Sequence, residues 1–236
     1  MNKKEAMPDS SILYRLIAIS AGVVIAGMIL SGPPGVFLVG QLHPQPEWVD
    51  AATFMKHYHP LQLFPYAGGF VLIIGFAFFI ASSYQLAVLA SQKVPAVLAV
   101  IFVAAFAVMI GLNYSLQVAW VPVLIRTQDP LLARITMYNP QSVAWALEMF
   151  GYGFLGLSTW CISLVFWGSR RMNIIRYLLI ANGFLSIASA IIATGGGGWV
   201  YEKAGIIAYI SWNLLIIVTM ALIYFEFRRR RLRGGV

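Results

Sequence analysis

Charge is scarce in this chain of 236 residues: only 10% of it is Asp, Glu, Lys or Arg, against 60% hydrophobic residues. With a mean hydropathy of +0.81, that leaves no soluble domain and makes bilayer hydrocarbon the solvent. Cysteine is almost missing. Cys161 stands alone, so no internal disulfide forms, and packing as a small apolar residue suits it. The only three histidines, His43, His57 and His59, fall outside the long apolar runs. That disfavours haem held by paired intramembrane histidines. Carboxylates are nearly absent from those runs as well. Glu148 alone lies well inside one, since Glu226 sits at a boundary beside arginines.

What the chain has in abundance is apolar length. Six stretches, at roughly 12–32, 62–90, 95–122, 141–167, 173–194 and 205–227, match the ~20 residues a spanning helix needs. They are too long and continuous for barrel strands. The expected fold is therefore all-α: a single polytopic membrane domain, 1–236, forming a six-helix transmembrane bundle. Twelve of the basic residues (Lys3, Lys4, Arg15, Lys93, Arg170, Arg171, Arg176, Arg228 to Arg231 and Arg233) would share one side, and four (Lys56, Arg126, Arg134, Lys203) the other. That bias predicts both termini in the cytoplasm and a bacterial inner-membrane location. The net charge of +8 implies no nucleic acid, because the terminal arginine run lies against an anionic leaflet as a stop-transfer anchor. A cleaved signal peptide is the rival reading of the first stretch. Glu5, Asp9 and the length of the run favour a retained anchor.

Short connections at 91–94 and 168–173 predict antiparallel neighbours, and Pro33-Pro34 should end the first helix. Outside, 33–61 and 123–140 are long enough to cover a pocket mouth. A short interfacial helix is expected from Pro46-Glu47-Trp48-Val49-Asp50, burying Trp48, Met55 and Tyr58. Gly195 to Gly198 reads as a flexible external turn. Trp48, Trp120, Trp199 and Tyr201 fit an outer aromatic belt, and Trp167 an inner one.

The few polar residues inside the spans carry the functional signal. Asn113 and Gln117 are four apart on the third span, Glu148 and Tyr152 on the fourth, Tyr209 and Asn213 on the sixth, so each pair shares a helix face. Asn113, Glu148 and Asn213 all lie about 10–14 Å below the outer helix ends, a common depth that predicts one site. Trp145 and Trp212 flank it and suit an amphipathic or cationic ligand. An ionisable residue at such depth is functional by default, although a plain interhelical hydrogen bond would also account for Glu148. His57-Tyr58-His59 in extended backbone would point both imidazoles one way and form a weak metal candidate, with no third ligand at a recognisable spacing.

Some motif matches fail on context. Gly151, Gly153 and Gly156 have dinucleotide-fingerprint spacing but follow no strand, so helix packing explains them. The stretch Asn139-Pro140-Gln141-Ser142 through Trp145, Glu148, Gly151-Tyr152 and Leu155-Gly156 resembles small six-span bacterial integral membrane proteins of uncharacterised function. The resemblance implies a membrane architecture and supplies no mechanism. No lysine lies within a span, as a rhodopsin would require, and rhomboid or ceramidase signatures are absent.

Three functions compete. A binding or transport protein would take a small or amphipathic molecule at Glu148, Asn113, Gln117, Asn213, Tyr152, Trp145 and Trp212. A structural or partner subunit would use the same residues to lock helices together. A metal-assisted membrane enzyme would need His57 and His59 near Glu148, acting on a lipid-like substrate. Apart from the lipid bilayer, the sequence names no cofactor and no protein partner.

Overall fold

Proline, glycine and side-chain caps set the helix boundaries. Helix α1 (Ser10–Ser31) stops at Gly32, whose extended backbone precedes two prolines in the first turn of α2 (Pro33–Leu42), where a missing N–H costs nothing. Asp50 accepts the Thr53 amide at 2.7 Å and starts α3 (Ala51–His57). The interfacial helix thus begins at Ala51 and not at Pro46, because the Asp50 carboxylate supplies the cap. His59 and Gln62 cap a 3-10 turn, Pro60–Leu63, that leads into α4 (Phe64–Leu89). Ser91, in the left-handed region at φ 60°, turns the chain into α5 (Lys93–Ser115). A π-turn, Leu116–Trp120, then connects α5 to α6 (Val121–Thr127). Short α7 (Leu132–Ile135) precedes α8 (Val143–Ile162), α9 (Arg170–Ala193) and α10 (Lys203–Arg233).

The computed structural model describes residues 10–195, 198–199 and 202–233, with Ser10 and Arg233 described by backbone alone. Lys3, Lys4, Glu5, Asp9, Gly196, Gly197 and Tyr201 lie outside the described residues. Among those described, all regular structure is helical.

Five segments are long and apolar enough to cross a bilayer: Ser11–Leu42, Pro60–Leu89, Lys93–Thr127, Arg170–Ala193 and Lys203–Leu232. The stretch expected at 141–167 folds as α8 plus a 3-10 turn, Ser163–Val165, and is not among the five. Glu148, Ser158, Thr159 and three glycines dilute its apolar content. Its buried face is correspondingly polar. Ser158 donates to the Ala99 carbonyl of α5 at 2.7 Å, and Thr159 accepts from Asn182 of α9 at 2.8 Å.

The long helices pack on their neighbours in sequence: α1 on α4, α4 on α5, α5 on α8, α8 on α9, and α10 back on α1, with a lighter α9–α10 contact. The result is a closed ring of six helices, the antiparallel arrangement that short connections predict. Tyr14 and Phe227 meet edge to face at 5.6 Å, so the first and last helices have their chain-terminal ends together. Phe76, Phe79, Phe106, Phe166 and Phe227 fill the core. At the far end a second apolar cluster gathers Phe54 of α3 with Val121, Leu124, Leu132 and Ile135. Trp48, Met55 and Tyr58 pack into that cluster, joining the 43–63 and 121–138 segments in one module. Trp120 and Trp167 are exposed at opposite ends of the bundle, as belt residues would be.

Glycine lets α1 and α4 approach most closely. A Cβ at Gly27 would lie 2.6 Å from the Leu72 backbone, and one at Gly75 would lie 2.8 Å from the Val24 nitrogen. Gly75→Leu should therefore destabilise the protein by about 1–3 kcal/mol through overpacking, read as a lower melting midpoint in detergent. An unchanged midpoint would show that the seam relaxes freely. The α3 cap makes a pH prediction. The Thr53 backbone and side-chain hydrogen bonds hold Asp50 below its usual carboxylate range. A depressed folded-state value means the stabilisation is present at neutral pH and lost as pH falls through that lowered value. Hydrogen exchange at the Thr53 amide should outpace its intrinsic pH trend only in acid, and Asp50→Asn should remove that step.

Candidate functional site

Glu148 sits on α8 one turn beyond Trp145, at the level where Gly151 admits the Ile110 side chain of α5; a Cβ at Gly151 would lie 2.6 Å from it. Across that seam α5 offers two donors. Asn113 Nδ2 donates to Glu148 Oε2 at 2.9 Å, and the Tyr114 hydroxyl donates to Oε1 at 2.8 Å. The Tyr152 hydroxyl, one turn along α8, lies 3.2 Å from that of Tyr114. Glu148 is deep in the bundle but keeps part of its surface open, whereas Asn113 is sealed. No cation balances the carboxylate among the described residues. The ion pairs there all belong to Glu226, with Arg171, Arg229 and Arg230.

The walls are aromatic. Tyr114 lies so close over Gly69 of α4 that any side chain at 69 would collide with its ring. Tyr66 and Phe70 flank it, with ring centroids at 5.5 and 6.2 Å. Tyr152 meets Trp212 of α10 edge to face at 4.9 Å, and the Trp212 indole donates to Ser186 Oγ at 3.0 Å. Tyr209, 42% exposed on α10, uses its carbonyl to accept from Asn213.

The loop module is tied to this cluster by its backbone. Gln117, held inside the π-turn, donates to the Ile135 carbonyl at 2.9 Å and accepts from the Met137 amide at 3.0 Å. The Trp145 indole donates to the Met137 carbonyl at 2.6 Å, and Met137 Sδ accepts from Asn113 at 3.2 Å. The segment 135–137 thus covers the polar cluster like a strap. Between strap and first loop remains a cavity of about 10 Å³, lined in part by Gln62, Tyr66, Gln117 and Thr136. It has space for about one water molecule.

Of the residues expected to share a site, Asn113, Gln117, Glu148, Tyr152 and Trp145 are joined by hydrogen bonds, directly or through Tyr114 and Met137. Trp212 reaches them through the Tyr152 ring. Asn213 does not. Its amide donates to the Tyr209 carbonyl of its own helix at 2.8 Å, and its oxygen packs on Gly32. His57 ends α3 and bonds the Thr53 carbonyl through Nδ1, so the extended His-Tyr-His arrangement is not formed. The Asp50 cap extends the helix to His57, and His59 Nδ1 is occupied as acceptor of the Leu61 amide. His59 stacks instead on His43, with centroids 3.4 Å apart. Among the described residues no three His, Cys, Asp or Glu side chains group as metal ligands do.

Sequence reasoning missed Tyr114, Met137 and Gln62. The Gly68-Gly69 pair is a usable signal for the first, since adjacent small residues invite a ring. Gln62 donates to the His43 and His57 carbonyls and to Gln45, organising the first loop, yet it borders a span in sequence and looks like an ordinary end residue. Nothing marks Met137, which acts mainly through its backbone. No family model matches this chain, and comparisons with curated proteins and with solved structures found no match.

Gln117→Leu leaves the Ile135 carbonyl and Met137 amide without partners. A cost of roughly 1–3 kcal/mol and much faster hydrogen exchange at Met137 than at the core of α5 are expected. Equal protection in both variants would show that the strap is held by other contacts.

Proposed function

We propose that this is a six-span protein of the bacterial inner membrane, with cytoplasmic termini, that binds or transports a small or amphipathic molecule bearing a positive group. Two observations support the topology: α8 occupies a place in the ring between two helices long enough to span, and basic residues concentrate at the terminal end. One observation carries the function. A deep carboxylate without a cationic partner among the described residues is bonded by Tyr114, with Tyr152 beside that hydroxyl, Trp212 against the Tyr152 ring and Trp145 one turn before Glu148 on α8. A cation entering there gains both the carboxylate charge and aromatic faces. Residues 135–137 are bonded across the polar cluster by Gln117 and Trp145, so entry from that end requires this strap to lift. The reciprocal Gln117 pair and the Trp145 indole fasten it, all three bonds being made to the strap's backbone.

A structural role within a membrane complex has its own support, because both oxygens of Glu148 already have donors and bind α5 to α8. The two readings part on Glu148→Gln. The amide keeps the shape and one acceptor but no charge. With tetraphenylphosphonium as probe on protein in nanodiscs, and mass spectrometry of what co-purifies, the binding reading expects at least a tenfold loss of affinity, about 1.4 kcal/mol, and loss of the co-purified species. A lower melting midpoint with unchanged probe affinity would leave only the structural role.

A further inference from the structure

The terminal end of the ring contains a cleft of about 260 Å³ between α1 and α10, lined by Arg15, Ala18, Ile19, Tyr224, Arg228 and Arg231. The spacing makes each wall a single helix face: 15, 18 and 19 on α1, and 224, 228 and 231 on α10. Its rim is three guanidinium groups and its floor is apolar. All three arginines are exposed, and none has an acidic partner among the described residues.

Their isolation follows from how the neighbouring charge is spent. Glu226 faces away from the cleft and is taken by Arg229 at 2.6 Å, Arg230 at 3.0 Å and Arg171 at 3.8 Å. The α10 arginine run is therefore divided: 229 and 230 share the single Glu226 carboxylate, while 228 and 231 line the cleft with Arg15. Helix α10 has 31 residues, about 46 Å at the standard rise, which exceeds the hydrocarbon thickness of ~30 Å. Its arginines consequently stand where the helix leaves the hydrocarbon. Near them Leu16 and Ile19 on α1, and Leu222 and Phe225 on α10, are exposed apolar side chains.

We propose that this cleft binds the headgroup phosphate of an anionic phospholipid, with the glycerol on Ala18 and Ile19 and the acyl chains along the exposed apolar faces. Guanidinium forks match phosphate oxygens in pairs, and Tyr224 adds a hydroxyl donor beside them. The apolar floor argues for a lipid over free phosphate, which would leave half of the cleft unused. This site is at the opposite end of the bundle from Glu148 and does not rest on the function proposed for that residue.

The test is native mass spectrometry of the full chain released from nanodiscs containing phosphatidylglycerol, cardiolipin and phosphatidylcholine. Wild type should retain anionic lipid in preference to phosphatidylcholine. Arg15→Gln with Arg228→Gln should weaken that retention roughly 30-fold, from the typical value of a basic residue at an anionic surface. Lys93→Gln with Arg170→Gln removes equal charge from exposed positions at the ends of other helices and should leave retention unchanged. Ile19→Trp keeps every charge but fills the floor and should also release lipid, and melting midpoints establish that each variant is folded. Equal loss in the Lys93/Arg170 control would mean diffuse attraction to the surface and would overturn the site. So would retention in the Arg15/Arg228 variant, or displacement of lipid by millimolar inorganic phosphate with no effect of Ile19→Trp.

Discussion

Hydrocarbon offers no hydrogen bond, so each polar atom carried into the bundle must find its partner there. The hydrogen bonds from Asn113 and Tyr114 to Glu148 are where this constraint bears hardest. Two adjacent residues of one helix reach the two oxygens of one carboxylate on the next, which fixes both the rotation of α5 and its height against α8. Tyr114 can occupy that position only because Gly69 leaves space for its ring. The polar site and the small-residue packing are thus one arrangement, and the α4–α5–α8 wedge cannot be described by either alone.

The two ends of the ring solve different problems. At the terminal end, Phe79, Phe166, Phe227 and Tyr14 pack as rings, and charge is collected outside them by Glu226 and its arginines. At the other end, the helices open to a folded module of loops with its own apolar cluster around Phe54. That module meets the bundle through backbone groups of residues 135–137, so its hold depends on Gln117 and Trp145 and little on its own side-chain identities.

Much of this was legible in the residues. Apolar length located the helices, although α8 ends at Ile162 and α10 runs on to Arg233, and four-residue spacings put Asn113 with Gln117 and Glu148 with Tyr152 on shared helix faces. What spacing cannot convey is rotation about the helix axis. Asn213 lies on a suitable helix at a suitable depth, yet it turns toward Gly32. The α8 segment was legible as a helix but not as one with a hydrogen-bonded buried face, since its hydroxyls become informative only against Ala99 and Asn182. The histidine pair misled because Asp50 starts a helix that an extended reading of His57 to His59 overlooks. Backbone partners such as the Met137 amide leave no trace in side-chain patterns.

The π-turn at Leu116–Trp120 also accommodates Pro122, which has no N–H to give to a regular helical ladder. The Val121 amide reaches back five residues to the Leu116 carbonyl, so the helix continues across the gap. The additional residue rotates everything beyond it by about 100°. Ile110, Asn113 and Tyr114 consequently look into the bundle, while Val121 and Leu124 look into the loop module. One continuous rod is keyed into two cores, so the loop module and the carboxylate's donors share a single helix axis.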